Sequence, residues 1–228
     1  MQISRIKRLA LLAAPVVVPL TTLLIYRATY NRDGADAPAP FGTVFYWIVW
    51  CLLFPLWVLG PRELLDVLRP VPEPWGRPRR LGALLLAIPV LMGLLGLFAG
   101  LLPEEVFGTL LDMVPRSVLL LAVGVILVSV WNGVLEEVLW RGTFIRVFPD
   151  NRVAGYLYPA VGFGLWHLGP ALGVAAFHPA FLVIAGAGIV FGLCWGWVAW
   201  KTQSIFLAAL SHVLSNMVLT GALLIALL

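Results

Sequence analysis

Charged residues are scarce in this 228-residue sequence, in which Asp, Glu, Lys and Arg make up 11% and apolar residues 61%. The mean hydropathy is +0.99. Soluble domains carry about a quarter charged residues, so this composition excludes a single water-soluble core and predicts that lipid covers most of the surface. We therefore interpret the net charge of +4 through membrane topology, and expect the bilayer, and no nucleic acid, as a partner.

Cysteine is also scarce, since the chain has only Cys51 and Cys194, which lie in separate apolar stretches. Such a pair predicts two small buried side chains rather than a disulfide or a cysteine-based metal site. The sequence further lacks a fixed-period repeat and a glycine-rich phosphate loop between a strand and a helix. These absences point away from repeat arrays and from nucleotide-binding folds of that kind.

Seven apolar stretches remain, each close to the roughly 20 residues that cross a bilayer as a helix. They cover residues 9–26, 42–60, 81–102, 117–139, 154–177, 179–200 and 204–228. The sequence therefore predicts an all-α, polytopic transmembrane helical bundle of about seven spans. We expect a single integral membrane domain over residues 1–228, located in the cell membrane.

The cations predict which side of the membrane each loop faces. Twelve of the 15 Lys and Arg residues precede the first span or lie in the loops after the second, fourth and sixth spans. Because cationic loops stay in the cytoplasm, this distribution predicts a cytoplasmic N-terminus. The first stretch also resembles a secretory signal, with an Ala-x-Ala at residues 35–37, but its length of about 18 apolar residues favours an uncleaved span.

Two adjacent carboxylates, Glu136 and Glu137, lie at the end of the fourth apolar stretch. An ionised group at mid-bilayer costs about 2.5–3.5 kcal/mol on insertion scales, so such residues normally face the bundle interior and have partners. Arg141 follows Glu137 by four residues, the favourable acid-before-base spacing, whereas Glu136 lies roughly 100° around the helix. The spacing predicts a Glu137–Arg141 pair that leaves Glu136 free. A wet cytoplasmic helix end is the alternative explanation.

Two histidines interrupt later apolar stretches. Phe163 and His167 share a helix face in the fifth stretch, and His212 and Asn216 share one in the seventh, because each pair is four residues apart. Either pair alone is also compatible with ordinary interhelical hydrogen bonding. The third histidine, His178, is predicted to lie in a short non-cytoplasmic loop.

The polar residues within these three apolar stretches are predicted to lie at a similar depth in the membrane. Counted from the cytoplasmic ends of their helices, Glu136, His167 and His212 lie roughly 21, 21 and 16 Å along at about 1.5 Å per residue. Agreement in depth indicates a common site. A Glu with two His and an Asn can bind a divalent metal that activates water, or use the carboxylate as general base with donors for an oxyanion. Both routes are hydrolytic.

In chain order, these residues form the patterns E-E-x-x-x-R, F-x-x-x-H and H-x-x-x-N on three separate spans. The combination resembles the CAAX-prenyl-protease-type (CPBP, or Abi) intramembrane proteases over residues 117–220, which would form the protease-like core. The resemblance implies an endopeptidase acting on a membrane-associated peptide or protein. The catalytic set that it implies is Glu136, Glu137, Arg141, His167, His212 and Asn216.

The resemblance also implies a role for individual residues. Glu136 would activate the water, His167 would assist, and His212 with Asn216 would bind the developing oxyanion. In an older interpretation the family binds zinc, for which Glu136, His167 and His212 are the candidate ligands. The H-E-x-x-H helix of membrane zinc proteases is absent, so we favour a glutamate-centred mechanism and keep zinc as the alternative cofactor.

Other functional classes fit the sequence less well. It has no serine in a rhomboid-like G-x-S setting and no pair of intramembrane aspartates, and a transporter would more naturally show inverted repeats. The main alternative is a non-catalytic membrane protein of the same fold, such as a bacteriocin-immunity or scaffold factor. The substrate and the oligomeric state do not follow from the sequence.

Overall fold

The computed structural model describes residues 3–29, 40–70, 87–95, 97, 118–174, 177 and 179–227. All regular structure within these ranges is helical, which confirms the all-α class. The elements are, in chain order, α1 (Arg5–Thr29), α2 (Pro40–Phe45), the π-helix π1 (Tyr46–Leu53), α3 (Phe54–Leu59), α4 (Pro61–Leu68), α5 (Val118–Glu137), π2 (Val138–Thr143), α6 (Phe144–Val147), π3 (Val153–Leu157), α7 (Tyr158–Trp166), α8 (Leu168–Val174), α9 (Ala180–Thr202) and α10 (Phe206–Leu227).

Four helical stretches in the described ranges are long and apolar enough to cross a membrane. They are Arg5–Thr29, Phe41–Leu59, Leu120–Val147 and Ala180–Thr202, and the apolar helix Phe206–Ala222 is shorter. Most of the third predicted span, residues 81–102, lies outside the described residues. The count of seven spans and the cytoplasmic N-terminus therefore stay predictions.

The fifth predicted span, residues 154–177, is not one continuous helix. It is built from π3, α7 and α8, with a turn at His167 between the last two. Pro170 explains the interruption, because it has no N–H to donate to the carbonyl of Trp166 four residues earlier. The break falls on one of the candidate histidines.

The second span folds back antiparallel to α1. Lys7 Nζ donates to the carbonyl of Val58 at 3.3 Å, and at the other end the hydroxyls of Tyr26 and Thr43 are hydrogen-bonded. The helix α1 also contacts α7, where Tyr158 donates its hydroxyl to the carbonyl of Leu12 at 2.8 Å. These contacts place the start of π1 beside the interior of the bundle. Both cysteines are free, and Cys51 is buried as predicted, whereas Cys194 is only partly buried.

Small residues allow α7 and α9 to pack backbone to backbone. A Cβ added at Gly188 would lie 3.0 Å from the Cα of Gly164, and one added at Gly192 would lie 3.2 Å from the carbonyl oxygen of Ala160. The tightest position is Gly164, where a Cβ would lie 2.5 Å from the carbonyl oxygen of Ala185. Helices that approach so closely gain dispersion contacts along their whole length.

The substitution Gly164→Ala should therefore destabilise the protein. The new methyl group meets backbone atoms of α9 that cannot move aside separately, and overpacking of this kind costs about 1–3 kcal/mol. Gly186→Ala on α9 is the matched control, because nothing lies within 4 Å of a Cβ at that position. We expect thermal unfolding in detergent to begin at a lower temperature for Gly164→Ala only. Equal unfolding temperatures for the two variants would contradict the packing described here.

Candidate active site

A close approach of α5 and α10 brings the fourth and seventh apolar stretches together. A Cβ added at Gly133 would lie 2.9 Å from the backbone nitrogen of Val213. Glu136 and Glu137 follow within the next turn of α5, and His212 directly precedes Val213 on α10. The lack of a side chain at Gly133 thus lets carboxylates on one helix reach an imidazole on the other.

The helix changes its geometry directly after the two carboxylates. The π-helix π2 begins at Val138, and all six of its residues are buried. Within it, the hydroxyl of Thr143 donates to the carbonyl of Val138, five residues earlier, at 2.8 Å. Short π segments inside α-helices are rare and frequently occur at functional sites. Sequence spacing alone had suggested a continuous α-helix through this region.

Glu137 and Arg141 form a buried ion pair, which confirms the pairing predicted from their spacing. Arg141 Nη1 lies 2.8 Å from Glu137 Oε1, and the exposed fractions of the two side chains are 1% and 0%. The guanidinium also lies over the ring of Phe163 at 4.3 Å and that of Trp195 at 5.6 Å. Because a charge in an apolar interior needs such partners, the pair and the two rings form one unit.

His212 lies between the two carboxylates. Its Nδ1 is 2.9 Å from Glu137 Oε1 and its Nε2 is 3.4 Å from Glu136 Oε2. The imidazole stacks on the indole of Trp195, with centroids 4.1 Å apart and planes at 16°. A neutral imidazole has one N–H, so an Nδ1–H donated to Glu137 turns Nε2 toward Glu136. The ring is therefore held in both position and orientation.

Glu136 is not free, in contrast to the expectation from spacing. It is 1% exposed, and its Oε2 accepts a hydrogen bond from Asn132 Nδ2 at 3.1 Å. The Tyr46 hydroxyl also interacts with this carboxylate as a hydrogen-bond donor, although no hydrogen bond of ordinary geometry reaches Oε1 within the described residues. Asn132 thus holds Oε2, whereas Oε1 is less firmly held.

His167 joins the cluster through Phe163 rather than by direct contact with Glu136. Its Nδ1 is 2.8 Å from the carbonyl oxygen of Phe163, which can only accept, so Nδ1 carries the proton. The ring of Phe163 lies 4.8 Å from the His167 ring and 5.8 Å from the His212 ring. The ring of Phe163 therefore contacts both histidines.

Asn216 lies one turn beyond His212 on α10. Its Nδ2 is buried and has no hydrogen-bond partner among the residues that the structure describes. The amide is therefore able to donate to a ligand next to His212. His178, which was predicted to be a loop residue, lies outside the described residues.

Residues 118–218 match a family model described as type II CAAX prenyl endopeptidase Rce1-like. Over this region, the chain is similar to the CAAX-protease family. The Rce1-like region runs from α5 into α10 and includes all six candidate residues, whereas α1 to α4 lie outside it. No curated protein and no solved structure matches the chain. The apolar helices and the similarity to a membrane protease family together indicate an integral membrane protein.

The zinc alternative finds little support in the donor set of the Rce1-like region. Among the described residues, no group of three His, Cys, Asp or Glu side chains is arranged so that it could hold a metal ion. Glu136 and His212 are adjacent, but no third side chain of these types completes a metal-binding group with them in the part of the chain that the structure describes. A catalytic zinc commonly needs three protein ligands, so these residues do not fit it as they are arranged.

Sequence reasoning missed several residues that contact the Rce1-like site. Trp195 stacks on His212 and donates its Nε1–H to Ser211 at 3.1 Å. Asn132 contacts Glu136, and Tyr46 and Trp47 contribute from the second span. The sequence contains 10 tryptophans, and no spacing rule distinguishes those at the site from those facing lipid. Only the i to i+4 relation between Asn132 and Glu136 was visible in advance.

Removing one partner of the buried ion pair should destabilise the protein strongly. Arg141→Met leaves Glu137 buried without its cation, and breaking such a pair costs about 3–5 kcal/mol. Arg69→Met is the matched control, because its pair with Asp66 is 75% and 44% exposed and should be worth about 0–1 kcal/mol. Unfolding in detergent would measure both.

The double variant Arg141→Met with Glu137→Gln separates the lost charge from lost packing. Because it removes the uncompensated carboxylate, it should be more stable than Arg141→Met alone. A double variant that is less stable than Arg141→Met would contradict the assignment of the ion pair.

Proposed function

We propose that the protein is an intramembrane endopeptidase in which Glu136 activates a water that attacks a peptide bond of a membrane-associated peptide or protein. The observation that carries this proposal is the buried cluster of Glu136, His212 and Glu137, with contacts of 3.4 and 2.9 Å. A carboxylate beside an oriented imidazole is an arrangement suited to general acid–base chemistry. The family match agrees with the reaction class.

In the proposed first step, a proton moves from water to Glu136 while the water oxygen bonds to the carbonyl carbon of the substrate. The carbonyl oxygen takes up the negative charge. Asn216, through its Nδ2–H, and His212, when its Nε2 carries a proton, would bind this oxyanion. Donors already held in a water-poor site stabilise such a charge without further reorganisation.

In the second step, the carbon–nitrogen bond breaks and Glu136 returns its proton to the leaving amine. The oxyanion becomes a carbonyl again as this bond breaks, and the products are an amine and a carboxylic acid that then gives up its proton to the surrounding water. The carboxylate of Glu136 thus acts first as base and then as acid. His167 assists by accepting a hydrogen bond from the water at Nε2, because its Nδ1–H is donated to Phe163. Glu137 and Arg141 would support the site by holding His212 rather than by touching the substrate.

A non-catalytic immunity or scaffold function on the same fold is the second candidate. It is favoured by the contacts that Glu137 makes with both Arg141 and His212. Such a network also stabilises a protein that cleaves nothing. In that case the biological activity would not depend on the carboxylate of Glu136.

Glu136→Gln should abolish peptide cleavage while the protein stays folded. The amide cannot accept the proton of water, and loss of a general base lowers turnover by about 100-fold or more. Glu63→Gln on α4 makes the same chemical change away from the cluster and should retain full activity. Both variants and the wild type would be compared in nanodiscs on a quenched peptide library, with products identified by mass spectrometry. Cleavage by Glu136→Gln at the wild-type rate would refute the proposed role.

A chelator distinguishes the two hydrolytic routes. Because the donors around Glu136 do not fit a three-ligand zinc site, we expect phenanthroline to leave cleavage by the wild type unchanged. The non-chelating isomer of phenanthroline controls for effects on the membrane. Loss of cleavage that returns on addition of Zn²⁺ would instead favour metal activation of the water.

A further inference from the structure

A chain of two hydrogen bonds connects the second span to Glu136. Trp47 Nε1 donates to Asn132 Oδ1 at 2.7 Å, and Asn132 Nδ2 donates to Glu136 Oε2 at 3.1 Å. Trp47 belongs to π1, which lies outside the Rce1-like match at residues 118–218. The carboxylate that the proposed reaction uses is therefore held partly by a residue from beyond that region.

The direction of these hydrogen bonds follows from the chemistry of the indole. An indole N–H can only donate, so the atom of Asn132 that faces Trp47 must be the carbonyl oxygen Oδ1. The NH₂ group of the amide then faces Glu136. Without the indole donor, the amide could rotate by 180° and present its oxygen to the carboxylate, and two acceptors would repel each other. Trp47 thus selects the amide orientation that Glu136 requires.

The residue before Trp47 anchors the second span against the rest of the bundle. The preceding residue, Tyr46, is fully buried, accepts the N–H of Trp140 at 2.8 Å and stacks on Trp166 with centroids 4.2 Å apart. Because Trp140 lies in π2 and Trp166 ends α7, these contacts join π1 to both. The contacts of Tyr46 therefore fix the backbone next to Trp47, so that its indole stays within hydrogen-bond distance of Asn132.

We propose that Trp47, acting through Asn132, is a positioning residue that orients the carboxylate of Glu136. With Oε2 held by Asn132, Oε1 is the oxygen directed to the reactant, and the direction of the general base is set before substrate binds. This inference rests on the proposed function for its effect on turnover. The hydrogen-bond chain itself can be tested without any substrate.

Trp47→Phe removes the donor and keeps an aromatic ring. Trp50→Phe makes the same change one turn along π1, where the indole nitrogen has no hydrogen-bond partner among the described residues. We expect Trp47→Phe to lower kcat by about 10- to 100-fold with KM nearly unchanged, since misdirecting a catalytic group affects the chemical step. Trp50→Phe should behave like the wild type. Equal kcat values for the two variants would overturn the proposal.

A double-variant cycle tests whether Trp47 acts through Asn132. If it does, Trp47→Phe should have no further effect on kcat in an Asn132→Leu background, because the relay is already interrupted. Multiplication of the two single effects would show that the residues act independently and would overturn the relay.

Carbon-13 NMR of protein labelled at glutamate carboxyl carbons separates failure of this inference from failure of the proposed function. The Glu136 resonance is identified by its loss in Glu136→Gln. A resonance that moves in Trp47→Phe and not in Trp50→Phe supports the relay, even if no peptide is ever cleaved. A resonance that stays unmoved in Trp47→Phe overturns the relay, even if the protein proves to be a peptidase.

Discussion

The arrangement of the site depends on a single carboxylate oxygen, Glu137 Oε1. It lies 2.8 Å from the guanidinium of Arg141 and 2.9 Å from Nδ1 of His212. An ionised carboxylate is too costly to bury in an apolar bundle unless its partners are buried with it. The requirement to satisfy Glu137 thus fixes α10 against α5, and it fixes the face of His212 that is turned to Glu136.

Aromatic rings surround the ion pair and the imidazole and help to hold them in place. Phe163 and Trp195 cover the guanidinium, and Trp195 also stacks on His212. These rings reach their places because glycine permits close approach, and a Cβ at Gly192 would lie 3.2 Å from Nη2 of Arg141. The charged contacts of Glu137 therefore depend on how closely the helices around them pack. The rings exclude lipid and water from the charges, and the small residues leave room for the rings.

The sequence predicted those parts of the site that depend on spacing within one helix. The Glu137–Arg141 pair followed from the i to i+4 relation, as did the shared face of Phe163 and His167. The common depth of Glu136 and His212 correctly predicted that these residues lie close together, because a bilayer restricts how far helices can shift along one another. The apolar stretches likewise indicated an all-α membrane protein from length and composition alone.

Contacts between distant helices were not predictable in the same way. The rotation of the second span, which presents Trp47 to Asn132, depends on packing against α1, π2 and α7 rather than on any periodic pattern. The π geometry of π2 and the break at His167 also depend on local backbone hydrogen bonding that hydropathy does not report. For the same reason Glu136 was expected to be free, although a neighbour on its own helix and one on α10 both contact it.

The most direct test of the account follows the oxygen of the attacking water. Wild-type protein in excess over a cleaved peptide would be allowed a single turnover in water enriched in oxygen-18. We predict one oxygen-18 atom in the new carboxylate of the product and none in the tryptic peptide that contains Glu136, because the carboxylate acts as a base. Label in the Glu136 peptide would show that the carboxylate attacks the substrate itself, and the absence of any cleavage product from folded protein would contradict the enzymatic account as a whole.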